Sequence, residues 1–418
     1  MDALTEVQQT LADEDLVLAE GTRLRSEVGE LFALEAAPGR FLNDGEMLRA
    51  GVAAVRAISE RLLSWGLPLE RIDPGHALGH IIRDHVSALL IAPRVPEASR
   101  TARFAAIVAG SLHDIGCAVF NRYEDAQGAV RHADASGVLL RKVLDAGVAG
   151  VTEGEARLIV YAAAAHTHYL KRMEVKGRDG ETRVLEPFPD EQDGRPLWSA
   201  WLTRWADRLD VNGPAFVGRH FLTLGEGHKD YASDVGFYET EFSGHLAPLF
   251  RAPEEIKAAG KRTMLEHMEM FRASQTNASA YGRFDNAGMQ ELRDARAVQL
   301  GRVIDAVRRA EPRLPEEHIL AAWTAFLAVT VEPHEAVGRP RAEQLVEAFR
   351  HLPAETRRAW CAGFEEAMLQ YRDAWYPGLD RALGPLADAG INHAQLALFG
   401  ANVWDVVRPR MAWSSLLP

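Results

Sequence analysis

The stretch Ser111-Leu112-His113-Asp114-Ile115-Gly116 closes an Ala-, Val- and Ile-rich segment that begins near Glu97. Apolar residues recur there at spacings of three and four, the period of a helix buried against neighbours. An adjacent His-Asp pair at the end of such a helix offers two metal-ligating side chains from one rigid support. Its carboxylate is able to reach between two cations while imidazole nitrogens fill the outer positions. The remaining ligands must then come from other helices.

Outward from this segment, Ala, Leu, Glu and Arg keep the same spacing, and Gly or Pro falls between segments rather than inside them. Helices are expected near 14–36, 46–65, 75–92, 97–115, 132–146, 153–172 and 196–211. Further helices are expected near 254–274, 288–311, 316–330, 340–351, 354–375 and 393–407. Met173 to Leu185 breaks the pattern with two β-prone runs around Gly177-Arg178-Asp179-Gly180, followed by Pro187, Pro189 and Gly194. That reads as a hairpin insertion. The fold class is therefore all-α, a helical array with a small β-hairpin insertion and a helical C-terminal region. A long surface loop is expected over 225–248. Residues 1–66 are expected as helices packing on the core, 67–248 as the domain carrying the chemistry, and 249–418 as further helices. This last region is expected to cover the first array or form a homodimer surface.

Composition narrows the function. The chain has 418 residues, ample for a buried core, and carries 47 Lys plus Arg against 59 Asp plus Glu, a net charge of -12. Without a long basic cluster, duplex nucleic acid is not an expected partner. Two cysteines, Cys117 and Cys361, make no disulfide framework and are compatible with a reducing compartment. The acidic N-terminus does not read as a signal peptide, and no apolar run approaches the ~20 residues of a membrane span, so no membrane partner and a cytoplasmic location are expected. Gly225-Glu226-Gly227 and Gly260-Lys261 lack the context of nucleotide-binding loops.

Histidine is the outlier: 15 are present, and many lie between 76 and 168 beside carboxylates. His80, His132, His166 and Asp207 each fall on a different expected helix and are candidates to complete a site with His113 and Asp114. His85 is an alternative first ligand. The two lie about 140° apart on a helix, so both do not easily reach one metal pair. His80 is favoured, because Pro93 leaves only two turns after His85. His76, one turn before His80, is a candidate extra ligand or hydrogen-bond partner. His168 is expected to touch substrate or a ligand rather than metal, and Asp84 is read as a solvated helix residue.

The ordered set His80, His113-Asp114, His132, His166 and Asp207 resembles the HD-domain superfamily of metal-dependent phosphohydrolases, over about residues 75–212. The 33 residues from His80 to His113 are similar to the spacing of the HD-GYP branch, and the 28 from His85 are also acceptable. His132 with Ser136-Gly137 and Leu139-Leu140 looks like the family helix in which a ligand histidine precedes two small residues and a Leu pair. Trp205-Ala206-Asp207-Arg208-Leu209-Asp210 looks like its last motif, in which the first Asp binds metal. The resemblance implies an HD-domain helical array and a dinuclear site of divalent cations (Mn²⁺, Fe²⁺, Co²⁺ or Mg²⁺). His113 and Asp114 would be its catalytic centre.

The departures bear on substrate. Many HD enzymes carry Lys three residues after the Asp, where this chain has Cys117, and the Gly-Tyr-Pro signature is absent, since Thr167-His168-Tyr169 follows His166. A cyclic dinucleotide is therefore not assigned. Two divalent cations among four neutral imidazoles and two carboxylates leave a charge of about +2, suited to phosphate. The expected activity is hydrolysis of a small phosphorylated substrate such as a nucleotide by a metal-activated water, with Arg83, Lys171, Arg172 and Arg208 as candidate phosphate contacts. The same six ligands also resemble HD-type diiron oxygenases, an alternative that Cys117 favours. A degenerate HD module that senses a ligand or binds a partner is the non-catalytic alternative.

Overall fold

The computed structural model describes residues 5, 14–69, 72, 76, 78–119, 128–166, 173–176, 181–210, 286–310, 350, 351, 353–358 and 384–401. The expected loop at 225–248, the helices at 254–274 and 316–330, and most of those at 340–351 and 354–375 lie outside these residues. Two compact units are present: Met1–Arg208 with Ala382–Asp405, and Leu209–Arg381 with Val406–Pro418.

The first unit is an array of helices α1 (Glu14–Ser26), α2 (Val28–Ala36), α3 (Asp44–Ser64), α4 (Leu78–Ile91), α5 (Arg100–Leu112), α6 (Gly128–Asp145), α7 (Glu153–Ala164) and all but the last two residues of α8 (Trp198–Asp210). The all-α expectation holds. The 14–36 segment forms two helices, and 75–92 begins at Leu78. Between α7 and α8, β1 (Met173–Lys176) pairs antiparallel with β2 (Thr182–Leu185), as the hairpin reading requires.

A second antiparallel pair, β3 (Glu191–Gln192) with β4 (Arg195–Pro196), was not expected. Its two central residues, Asp193 and Gly194, have φ of 52° and 73°. Positive φ at both positions is what a tight hairpin turn demands, and Asp-Gly is among the pairs that tolerate it best.

Helix α5 is the centre of the array. Every residue from Ala102 to Leu112 is buried, and α3, α4 and α7 all pack against it. Ser99 starts it by accepting a hydrogen bond from the Ala102 N–H at 3.1 Å. Small residues let its neighbours approach closely. A Cβ on Gly110 would lie 3.3 Å from Ala88 of α4 and 3.2 Å from Ala206 of α8. The contact therefore draws three chemistry-bearing helices together: Gly110 precedes His113 by three residues, and Ala206 adjoins Asp207. In α6, a Cβ on Gly137 would lie 3.1 Å from Ala164 of α7.

Polar interactions fix helix entry. Thr152 and Glu155 form a reciprocal capping box at α7, and the Arg40 guanidinium pairs with Glu155 at 2.8 Å. Glu35 of α2 accepts hydrogen bonds from the Trp198 and Ser199 N–H groups, at 2.9 and 2.7 Å, and so caps α8 from another helix. On α8 itself, buried Arg204 donates to the Ala165 carbonyl at 2.9 Å and pairs with Asp190. It ties the end of α7 to α8.

In the second unit, α9 (Ala287–Ala310) is opened by Asn286, whose Oδ1 accepts from Gly288 N at 2.9 Å, and it buries Met289, Leu300, Val303 and Ile304. The chain returns to the first unit as α10 (Gly384–Asp388), which packs on α3. The helix expected from 393 does not continue. A single 3-10 turn, His393–Leu396, is followed by an isolated bridge between Leu398 and Ala401. Phe399 and Gly400 between them have φ of 49° and 77°, left-handed values that end a right-handed helix. Among the described residues, no helix is long and apolar enough to cross a membrane.

Burial pushes the Glu35 carboxyl up to about 7, against the hydrogen bonds it accepts from Trp198 and Ser199. An acid that is easier to protonate in the folded chain makes the fold bind a proton as pH drops. Its contribution is therefore fully present below the unfolded value near 4.5 and lost as pH rises through about 7. The difference between wild-type and Glu35→Gln unfolding free energies should thus change by on the order of 3 kcal/mol between pH 4.5 and pH 8. Urea unfolding of both proteins across that range measures it; parallel pH profiles would show that Glu35 keeps its ordinary acidity in the fold.

Candidate metal centre

Helix α5 ends at Leu112, with His113 still helical at φ −66°, ψ −24° and Asp114 turning out at φ −102°, ψ 3°. A 3-10 segment, Ile115–Ala118, follows at once. The His-Asp pair therefore sits where one helix type gives way to another, so adjacent side chains diverge without leaving the core. Gly116 makes this junction fit. A Cβ there would lie 2.1 Å from the His132 carbonyl oxygen and 2.5 Å from the Ser136 nitrogen, so only glycine lets the segment touch α6. Its N–H donates to Ser136 Oγ at 2.8 Å, and that hydroxyl donates to the His132 carbonyl at 2.8 Å.

Around this junction, His80, His113, Asp114, His132, His166 and Asp207 converge, five of them buried and Asp207 partly so. Asp114 lies between two sets of imidazoles. Its Oδ2 is 3.0 Å from His80 Nε2 and 3.4 Å from His113 Nε2, whereas its Oδ1 is 3.4 Å from His132 Nε2 and 3.2 Å from His166 Nε2. The two latter nitrogens are themselves 3.2 Å apart. Asp207 Oδ1 is 3.6 Å from His80 Nε2 and 4.0 Å from His113 Nε2. The side chain of Asp207 is 21% exposed and that of His76 is 10%, against 3% or less for the others, so the cluster meets solvent on that side.

One position differs from expectation, and His85 leaves the first-ligand place to the favoured His80. Asp84, read as a solvated helix residue, is fully buried, with Oδ2 2.9 Å from His80 Nε2 and 3.5 Å from His113 Nε2. Four residues after His80, it shares that helix face, which was the available signal. His85 turns away from the cluster. Its Nδ1 meets Ser111 Oγ at 2.7 Å, and burial pulls its imidazolium down to about 4. His76 stays close, its Nε2 4.0 Å from Asp114 Oδ2 and its ring 5.6 Å from that of His132. Arg83 is buried on α4 and Arg208 half-buried on α8. His168, Lys171 and Arg172 lie outside the described residues.

The carbonyls of Gly110 and Ala163 accept from His113 Nδ1 and His166 Nδ1, at 2.9 and 2.6 Å. A carbonyl only accepts, so each Nδ1 carries the proton and each Nε2 faces the cluster. Burial lowers the His113 imidazolium, yet Asp114, Asp84 and Asp207 outweigh it and push it up to about 9. Burial and the charge of His113 take His166 the other way, to about 4. Burial would raise Asp114, but His113 and His76 hold it well below the usual carboxylate range.

Three groups bring one ligand atom per residue within 4.8 Å of one another and could hold a metal ion: His80-Asp84-His113-Asp207, His113-Asp114-His166, and Asp114-Cys117-His132. Imidazole and carboxylate donors suit divalent transition metals. His113 Nε2 and Asp114 Oδ1 also fit such a role, because both are buried and make no hydrogen bond of acceptable geometry. With Asp84 counted as an anion, two divalent cations, if held here, would leave a charge of about +1 rather than +2.

Gly116→Ala should disturb this junction. It is expected to lower stability by about 1–3 kcal/mol, as overpacking of a close contact does. Gly29→Ala, at a helical position with no atom within 4 Å of the new Cβ, should be neutral or stabilising. Chemical denaturation of both variants checks the contrast, and equal midpoints would argue against the close Gly116–His132 approach. Comparison of the chain with family models, curated proteins and solved structures gives no match, so the site's identity rests on its own geometry.

Proposed function

We propose that this chain is a metal-dependent phosphohydrolase or phosphodiesterase of the HD type, acting on a nucleotide or similar small phosphate ester. The observation that supports this reading most is the position of Asp114, whose two oxygens face different imidazole pairs about one central carboxylate. A carboxylate so placed is suited to bridge two divalent cations, with His80, Asp84, His113 and Asp207 on one side and His132 and His166 on the other. Bound there, two cations would supply a water of lowered pKa and neutralise charge on phosphoryl oxygens.

The chain's own residues perform the positioning. The Gly110 and Ala163 carbonyls orient two imidazoles, and the buried walls keep bulk water from His80, Asp84 and His113. Arg83, next to Asp84, and Arg208, next to Asp207, are the described cations assigned to substrate phosphate, a role shared with Lys171 and Arg172.

Two observations favour a second reading, a dioxygen-activating diiron enzyme. Asp84 adds a carboxylate to one side of the cluster, and Cys117 stands where a phosphate-binding lysine is expected, so the site offers phosphate less positive charge.

Elemental analysis of purified protein should find about two divalent cations per chain. Asp114→Ala should lose both, together with hydrolysis of nucleotides and generic phosphodiesters, while circular dichroism keeps its helical signal. Turnover that survives in this variant with metal still bound would refute the bridging role. Oxygen uptake by the iron-loaded wild type, with no hydrolysis under Mn²⁺, Co²⁺ or Mg²⁺, would select the diiron reading.

A further inference from the structure

The 3-10 segment after Asp114 adds a donor that none of the roles above uses. In a 3-10 turn the side chains at positions i and i+3 eclipse one another. Cys117 follows Asp114 by three residues, and its N–H closes the turn on the Asp114 carbonyl at 3.0 Å. Cys117 is fully buried and forms no disulfide. Its sulfur comes within 4.8 Å of ligand atoms of both Asp114 and His132. Asp114 Oδ1, a buried oxygen that no donor satisfies, faces the same His132, at 3.4 Å from its Nε2, and lies 3.2 Å from His166 Nε2.

We propose that Cys117 is a thiolate ligand of the cation held by Asp114, His132 and His166, which makes this pocket a soft nitrogen-sulfur site beside an oxygen-rich one. The inference rests on the dinuclear reading of Asp114. The two pockets differ chemically. On the far side, Asp84, Asp114 and Asp207 surround His80 and His113, a set rich in hard oxygen donors. On the near side, two imidazoles and one sulfur share a single carboxylate. Soft thiolate donors select zinc, cobalt and iron over magnesium or manganese. On binding, the Cys117 S–H loses its proton to solvent and the sulfur lone pair forms the bond to the cation; nothing is oxidised or reduced. A pocket of this kind keeps its cation when magnesium is the abundant divalent ion, while the oxygen-rich pocket accepts harder cations.

The test loads the chelator-treated full-length protein with Co²⁺ and records its absorption spectrum and its cobalt content. Wild type should bind about two cobalt ions per chain and show a near-ultraviolet sulfur-to-cobalt charge-transfer band in addition to the visible bands of the ion. Cys117→Ser should lose the ultraviolet band, keep the visible bands, and hold one of the two ions at least roughly 10-fold more weakly. Cys361→Ser, which removes the other cysteine, should keep the wild-type spectrum. Two bound cobalt ions without the band, or a band that survives Cys117→Ser, would overturn the thiolate assignment and leave the dinuclear reading standing. Failure to bind cobalt at all would remove both.

Discussion

The Asp114 carboxylate, buried at the end of the central helix, is the constraint around which the first unit is organised. An ionised carboxylate taken from water is expensive unless charges and hydrogen-bond donors surround it. Here the surroundings are imidazoles from four segments, and the same residues that compensate Asp114 are competent metal donors. Structural need and chemical capacity thus fall on one set of side chains. Asp114, Asp84 and Asp207 together outweigh the burial of His113 and push its imidazolium up to about 9.

Convergence of this kind requires helices that approach more closely than large side chains permit. Gly110 provides it where α5 meets α4 and α8, Gly137 where α6 meets α7, and Gly116 where the 3-10 segment meets α6. Each contact lies within one or two turns of a cluster residue. The tolerance is smallest at Gly116, where the backbone of His132 itself occupies the space of a side chain. Two polar ties complete the frame: Glu35 caps α8, and Arg204 joins α8 to the carbonyl preceding His166.

The two sides of Asp114 are unequal, and the inequality bears on chemistry. Asp84 enlarges the anionic side near His80, while Cys117 gives the His132 side a polarisable donor. Under the proposed reading, phosphate affinity, cation choice and dioxygen reactivity would all depend on how much positive charge remains after the donors are counted. Were two divalent cations bound as proposed, a third carboxylate would lower the charge to about +1, and a thiolate would bring it near zero.

Much of this was legible in the chain of residues alone. The period of three and four located the helices of the first unit, the Gly-Arg-Asp-Gly turn marked the first hairpin, and His113-Asp114 with its partners marked the cluster that the structure assembles. The helices and the hairpin are local patterns that backbone geometry decides, whereas the cluster was marked by the order of its residues along the chain and by their resemblance to a family. What only the tertiary structure decided concerns neighbours. The i,i+4 spacing placed Asp84 on the face of His80, but whether that face meets water or His113 depends on where α5 lies. His85 is equally helical, but it lies about 140° from His80 on the helix, and the packing of α5 puts Ser111 opposite it there. Cys117 joins Asp114 because the chain switches to a 3-10 turn, a change of winding that a helical period does not encode, since it is set by the fit of Gly116 against α6.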